Sequence, residues 1–179
     1  MDAELDRILD ETYLDGLATR PVGELRSLRA ECQHTETQLS YLRRLVQGQH
    51  DIVTGEIDRR QGGGDPDDVH GLVERLPEIL SDRIHAPGPG RLPVGMEPGE
   101  LSGRLVERLE AIMAAVPLEA TQAASLDELT AVAEQLSELE HDVSGLRRAL
   151  FDRIDPVSAE ITRRYKDGEA RVEDLLAES

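Results

Sequence analysis

Mostly apolar residues recur at alternating steps of three and four along two long stretches of the chain. This spacing has a period of 3.5 residues, which is typical of helices that pack together in a coiled coil. The sequence therefore predicts an all-α fold built on two long helices. The seam positions are Leu25, Leu28, Cys32, Thr35, Leu39, Leu42 and Val46 in the first helix, and Leu129, Val132, Leu136, Leu139, Val143, Leu146 and Leu150 in the second.

Helix-breaking and helix-capping residues divide the chain into five segments. Pro21-Val22-Gly23 separates a short N-terminal helix, expected over 3–14, from the first long helix, and Gly62-Gly63-Gly64 ends that helix. Ser125 and Glu128 have the spacing of a capping box at the start of the second long helix. The predicted segments are an N-terminal arm (1–23), the first long helix (24–61), a linker with short helices (62–124), the second long helix (125–167) and an acidic tail (168–179).

Weaker patterns lie in the linker and inside the second long helix. Short helices are expected over 69–84 and 100–116, separated by a loop over 86–99 that contains four prolines and four glycines. Pro156 falls inside the second long helix, where it removes a backbone hydrogen bond. We therefore expect a kink near Asp155.

The two long helices repeat one another at an offset of 104 residues. Between residues 36 and 60, 11 of 25 positions are identical to the residue 104 positions later. The packing seam explains the apolar matches but not the polar ones. The polar matches of interest pair Glu36 with Glu140, Ser40 with Ser144, Arg43 with Arg147 and Asp51 with Asp155.

The repeated polar residues form a stripe about 100° wide on each helix, beside the seam. In an antiparallel pair the two stripes face the same side, whereas in a parallel pair they face opposite sides. We therefore predict a long antiparallel coiled-coil hairpin with shorter helices in the connection and one groove of pseudo-twofold symmetry. The stripes are Glu36, Ser40, Arg43, Gln47 and Asp51 on the first helix, and Glu140, Ser144, Arg147, Phe151 and Asp155 on the second.

The residue types in these stripes favour an anionic nucleotide. Arginine forks match phosphate and the O6/N7 edge of guanine, and carboxylates accept hydrogen bonds from guanine N1–H and its amino group. Serine and glutamine can bind phosphate or ribose. A twofold groove indicates a guanine nucleotide with more than one base. The alternative is a solvated coiled-coil flank stabilised by ion pairs along each helix.

Composition narrows the choice of partner. The chain of 179 residues has a formal net charge of −17, which disfavours free nucleic acid and favours a basic protein partner. The N-terminus lacks the features of a signal peptide, and no apolar run approaches the roughly 20 residues of a membrane span. We expect a cytoplasmic protein that binds neither DNA nor membranes directly.

Catalytic and metal-binding interpretations have little support in the sequence. Cys32 is the only cysteine and lies on the seam, so a packed thiol is a better interpretation than a nucleophile. The five histidines include no pair four residues apart with a supporting carboxylate, so no metal motif is present. We expect that the protein is not an enzyme.

The order Glu-x3-Ser-x2-Arg-x3-Gln-x3-Asp resembles the cyclic di-GMP signature of the RsiG family of anti-sigma factors. The copy that begins at Glu36 matches the signature in full, and the copy that begins at Glu140 departs once, with Phe151 in place of glutamine. The resemblance covers both long helices, about half of the chain.

Membership of that family would imply a ligand and a partner. The ligand would be cyclic di-GMP, bound as a partly intercalated dimer on the antiparallel helices, and the partner would be a WhiG-like sporulation sigma factor, held away from core polymerase. The arginines of the stripes would contact guanine or phosphate, and the aspartates would read guanine edges. Phe151 lacks the polar group of the glutamine that it replaces, and it could stack on a base.

Two other classes of protein remain as alternatives. A structural coiled-coil scaffold without a nucleotide ligand explains the seam and the charge but not the repeated order of polar residues. A DNA-binding regulator is disfavoured by the acidic charge. Replacement of Arg43 and Arg147 separates the first alternative from a nucleotide sensor.

Overall fold

The computed structural model describes residues 2–62 and 103–169, and every regular element in these two ranges is helical. The predicted all-α fold is confirmed. The predicted helix over 69–84 and the loop over 86–99 lie outside the described residues. The elements are α1 (Asp2–Leu9), a 3-10 turn (Glu11–Leu14), α2 (Val22–Gln61), α3 (Arg104–Ala115), a second 3-10 turn (Leu118–Ala120) and α4 (Leu126–Lys166).

The N-terminal arm differs from the single helix expected over 3–14. Asp10 leaves the helical conformation after α1, and its carboxylate accepts a hydrogen bond from the Thr12 N–H at 2.8 Å. Asp10 therefore caps a new 3-10 turn. An aspartate side chain that competes for nearby backbone N–H groups explains why the helical pattern is interrupted here.

The first long helix begins earlier than predicted. α2 starts at Val22, and the Leu25 N–H donates to the Pro21 carbonyl at 3.1 Å. The first N–H groups of a helix have no acceptor within the helix, so the missing N–H of a proline costs nothing at this position. Pro21 therefore marks the start of α2, where the sequence interpretation placed a break.

Both ends of α4 follow the predicted signals. The Ser125 N–H donates to the Glu128 carboxylate at 2.7 Å, and the Glu128 N–H donates to Ser125 Oγ at 3.2 Å. The helix ends before Gly168, whose φ of 74° is the left-handed conformation that favours glycine. The chain is helical through Pro156, and the kink at that position stays a prediction.

The chain divides into two compact units, and the division falls inside both long helices. We call them the terminal unit (residues up to Arg43 and from His141 onward) and the central unit (Arg44–Glu140). Each unit contains part of α2 and part of α4.

The helices are antiparallel within the terminal unit. Arg26, near the start of α2, hydrogen-bonds the hydroxyl of Tyr165, near the end of α4. Farther along α2, Glu36 pairs with Arg147, an earlier residue of α4. The apolar core of this unit includes Leu25, Val157 and Ile161, surrounded by Leu14, Leu17, Leu28 and Tyr165.

The central unit has the same antiparallel arrangement. Gln47 of α2 hydrogen-bonds Glu140 of α4, while Arg60 at the end of α2 reaches the carbonyl of Ala124, just before α4 begins. All three helices contribute buried apolar residues to this unit, among them Val46 and Val53 of α2, Leu129 and Leu136 of α4, and Leu109 and Ile112 of α3.

The predicted packing seam is confirmed in both helices. All of its positions are buried except Leu28 and Leu146, which are partly buried. The offset of 104 residues also extends beyond the long helices, since Leu5 and Ile8 of α1 correspond to Leu109 and Ile112 of α3. All four of these residues are buried. The order short helix, 3-10 turn and long helix therefore occurs twice in the described chain.

Candidate functional site

All ten residues of the two predicted stripes lie on the long helices, five on α2 and five on α4. The ten side chains differ in solvent exposure, whereas those of a solvated coiled-coil flank would all be exposed. Glu36 is buried, whereas Phe151 and Asp155 are exposed. The other seven are partly buried, namely Ser40, Arg43, Gln47, Asp51, Glu140, Ser144 and Arg147.

Glu36 connects the two stripes within the terminal unit. Its Oε1 accepts a hydrogen bond from Ser40 Oγ at 2.7 Å, one turn along α2. The same oxygen accepts from Nη2 and Nε of Arg147 on α4, at 2.8 and 3.2 Å. Only 3 % of Glu36 is exposed, so its charge depends on these donors for compensation. Three of the predicted residues are therefore joined in one network.

Arg147 also contacts the aromatic residue of its own stripe. Its Cζ lies 5.9 Å from the centroid of the Phe151 ring, one turn farther along α4. This distance is within the range of a cation–π contact. The guanidinium is therefore held between the Glu36 carboxylate and the ring of Phe151.

In the central unit, a hydrogen bond from a neutral amide group to a carboxylate joins the two stripes. Gln47 Nε2 donates to Glu140 Oε1 at 3.1 Å, joining α2 to α4. Asp51 lies one turn beyond Gln47 on α2 and is partly buried. The central unit thus brings together two of the predicted residues, one from each copy of the motif.

The hydrogen bonds to Glu36 in the terminal unit fix the position of Arg147 and leave further N–H groups of its guanidinium to bind a ligand. A guanidinium has five N–H donors, and the contacts of Arg147 with described residues use its Nε and Nη2. An arginine that a carboxylate already holds in one orientation loses less entropy when it binds an anion. Arrangements of this kind suit phosphate or the acceptor edge of guanine.

A further repeated group lies at the end of α2, and the sequence interpretation assigned it no role. Glu56 accepts hydrogen bonds from Nε of Arg59 at 2.8 Å and from Nε of Arg60 at 2.7 Å. Arg60 then donates to the carbonyls of Thr121 and Ala124 at 2.9 and 2.6 Å. These carbonyls precede α4, so Arg60 ties the end of one long helix to the start of the other within the central unit.

The same group occurs at the end of α4 in the terminal unit. Glu160 accepts from Arg163 at 3.0 Å and from Arg164 at 2.7 Å, and Arg164 donates to the carbonyls of Leu17 and Arg20 before α2. These carbonyls lie 104 residues before those that Arg60 binds in the other copy. Identity at the offset of 104 residues was the signal that could have found this group.

Hydrogen bonds from the arginines change the titration of the two glutamates. Those from Arg163 and Arg164 lower the pKa of Glu160 to about 2. Hydrogen bonds from Arg59 and Arg60, partly offset by burial, hold the pKa of Glu56 below its usual value. Both carboxylates therefore stay charged well into the acidic range.

Cys32 lies in the seam and contacts an aromatic hydroxyl. Its thiol donates to the Tyr13 hydroxyl at 3.5 Å, and the Tyr13 hydroxyl also reaches Glu31 at 3.0 Å. Burial raises the pKa of the Cys32 thiol, the opposite of the shift that activates a cysteine nucleophile. The expectation that the protein is not an enzyme stays a prediction.

The described part of the chain shows neither a metal-binding cluster nor a membrane-spanning helix. Residues 2–62 and 103–169 contain no group of three or more His, Cys, Asp or Glu side chains placed to hold a metal ion. In the same part of the chain, each helix is too short or too polar to cross a membrane.

Comparison with models of known protein families identifies the family to which the chain is similar. The sequence model of the RsiG-like family matches residues 11–80 and 115–179, which is well over half of the chain. The matched ranges include both long helices and every residue of the two stripes. No curated protein matches the chain.

Proposed function

The chain belongs to the RsiG-like family, and we propose that it is an anti-sigma factor controlled by cyclic di-GMP. The proposed ligand contacts are the two stripes, one on α2 and one on α4. The proposed protein partner is a sporulation sigma factor of the WhiG type. Family membership supports the anti-sigma role, and the residues of the stripes support the nucleotide ligand.

The observation that carries the ligand proposal is the contact of Glu36 with Arg147. A solvated flank requires no particular order of residues, yet this carboxylate is buried and fixes an arginine of the other helix at 2.8 Å. Arg147, held in this way, would bind phosphate or guanine O6 and N7. Arg43 would have the corresponding role in the other copy of the motif.

The remaining stripe residues would supply complementary contacts. Asp51 and Asp155 would accept hydrogen bonds from guanine N1–H and its amino group, and Ser40 and Ser144 would bind phosphate or ribose. Glu36 and Glu140 would act mainly by holding Arg147 and Gln47, to which they are hydrogen-bonded.

Control by the ligand would follow from linkage. If cyclic di-GMP increases the affinity for the sigma factor, the sigma factor must increase the affinity for cyclic di-GMP by the same factor. The net charge of −17 would favour encounter with the basic, DNA-binding regions of a sigma factor.

Calorimetry of the full chain tests both parts of this proposal. Cyclic di-GMP is titrated into the protein alone and into its mixture with a WhiG-type sigma factor, and the sigma factor is titrated with and without the nucleotide. We expect saturable nucleotide binding and equal enhancement of the two affinities. Absence of nucleotide binding in both titrations would instead support the coiled-coil scaffold.

A further inference from the structure

The two copies of the motif differ at one position, and the difference changes the contacts around it. In the central unit, the Gln47 amide donates to Glu140 at 3.1 Å. The corresponding pair in the terminal unit is Phe151 and Glu36. A phenyl ring has no hydrogen-bond donor, and the network around Glu36 uses Ser40 and Arg147.

Phe151 is exposed although core positions are adjacent to it in the sequence. Its exposed fraction is 39 %, whereas Leu150 is fully buried and Ile154 is 8 % exposed. Phe151 is also the only phenylalanine in the chain. Its ring therefore contributes little to the packing seam and leaves an aromatic surface available to a ligand.

Arg147 gives this aromatic surface a charged neighbour. Its guanidinium lies 5.9 Å from the ring centroid and is anchored by Glu36 at 2.8 Å. A planar base stacked on the exposed part of the ring would lie beside a fixed cation. Stacked bases and nearby guanidinium groups are a recurrent combination in nucleotide recognition.

We propose that Phe151 is a base-stacking residue, so that the terminal unit recognises the face of a purine while Gln47 in the central unit recognises polar groups. The inference rests on the proposed function and concerns the contact that residue 151 makes with a base of the ligand. Stacking accepts any purine, because every base has a π face. The second copy of the motif is therefore less selective for guanine than a copy with glutamine at this position.

A tryptophan in place of Phe151 reports on stacking directly. The chain contains no tryptophan, so Phe151→Trp introduces a single indole whose emission a stacked guanine quenches. Leu126→Trp is a matched control, because Leu126 is also 39 % exposed but lies outside both stripes. We expect saturable quenching by cyclic di-GMP in the first variant and none in the second.

Affinity and selectivity provide the second measurement. Phe151→Leu keeps an apolar side chain without a ring, and we expect it to weaken cyclic di-GMP binding about 5- to 100-fold. Phe151→Gln restores the full motif, and we expect it to raise the ratio of the cyclic di-AMP Kd to the cyclic di-GMP Kd about tenfold, because polar groups discriminate bases better than a stacking surface.

The outcomes separate this inference from the proposal on which it rests. Unchanged affinity in Phe151→Leu, unchanged selectivity in Phe151→Gln, or unquenched emission of Phe151→Trp while calorimetry detects binding would each overturn stacking alone. Failure of the wild-type protein to bind cyclic di-GMP would overturn both the stacking inference and the proposed ligand.

Discussion

The carboxylate of Glu36 on α2 and the guanidinium of Arg147 on α4 form an ion pair at 2.8 Å, with 4 % of the glutamate side chain exposed and 21 % of the arginine side chain exposed. The two residues occupy different positions in the two copies of the motif. The arginine of one copy therefore compensates the buried glutamate of the other copy. This dependence between the helices makes the pair an informative position for mutation.

Loss of Arg147 should cost more stability than loss of the charge on Glu36. Arg147→Ala leaves a buried carboxylate with fewer donors, and we expect it to lower the free energy of unfolding by about 1–3 kcal/mol. Glu36→Gln leaves an arginine that solvent can reach, so its effect should be smaller. Chemical denaturation followed by circular dichroism measures both values.

The double variant Glu36→Gln/Arg147→Ala is the control for this prediction. Because it removes the buried charge together with its partner, we expect it to be more stable than Arg147→Ala. Strict additivity of the two single changes would contradict coupling between the residues.

Nucleotide binding should depend on the stripe arginines and not on their neighbours. We expect Arg43→Ala and Arg147→Ala each to weaken cyclic di-GMP binding at least about 100-fold, since a charge-assisted contact is lost together with its orientation. Arg44→Ala and Arg148→Ala are matched controls, because these arginines are also repeated but are exposed and lie outside the stripes. Calorimetry that gave equal losses in all four variants would indicate nonspecific electrostatic attraction.

Periodicity predicted the helices and the seam because burial of an apolar face is visible in the spacing of residues. The capping box at Ser125 and the glycine after α4 are similarly local signals. The burial of Glu36 was not predictable in this way, since its position beside the seam is compatible with exposure or burial. Only the cross-helix contact with Arg147 decides between them.

The carbonyl contacts of Arg60 and Arg164 show a second limit of sequence interpretation. Both arginines are identical at the offset of 104 residues, but their acceptors are backbone carbonyls in turns. The presence of a backbone carbonyl does not depend on residue type, so the sequence gives no sign of these contacts. Glu56 and Glu160 each form an ion pair with the arginine four residues later in the same helix. The additional tie to the preceding turn depends on tertiary structure.

The hydrogen bonds to backbone carbonyls should make Arg164 more important than Arg163 for the stability of the fold. Arg164 is 8 % exposed and donates to the carbonyls of Leu17 and Arg20. We expect Arg164→Ala to lower the free energy of unfolding by about 1–3 kcal/mol, because two partly buried carbonyls lose their donor. Arg163 forms only ion pairs at an exposed position within the described chain, so Arg163→Ala should change stability by less than about 1 kcal/mol. Equal effects in denaturant titrations would argue against the carbonyl contacts.

Low pH should weaken the hydrogen bonds of Arg163 and Arg164 to Glu160 at the end of α4, because Glu160 becomes protonated. Hydrogen bonds from Arg163 and then Arg164 lower its pKa in the folded state to about 2, against a usual value of 4.5. A carboxyl whose pKa is lowered by folding stabilises the folded state above its unfolded pKa, and this contribution is lost as the pH falls through the folded pKa. Thermal melting at a series of pH values should therefore show that the stability difference between wild type and Glu160→Gln shrinks between pH 4.5 and 2. A difference that stays constant over this range would contradict the assigned cause, since the many other carboxylates titrate in both proteins alike.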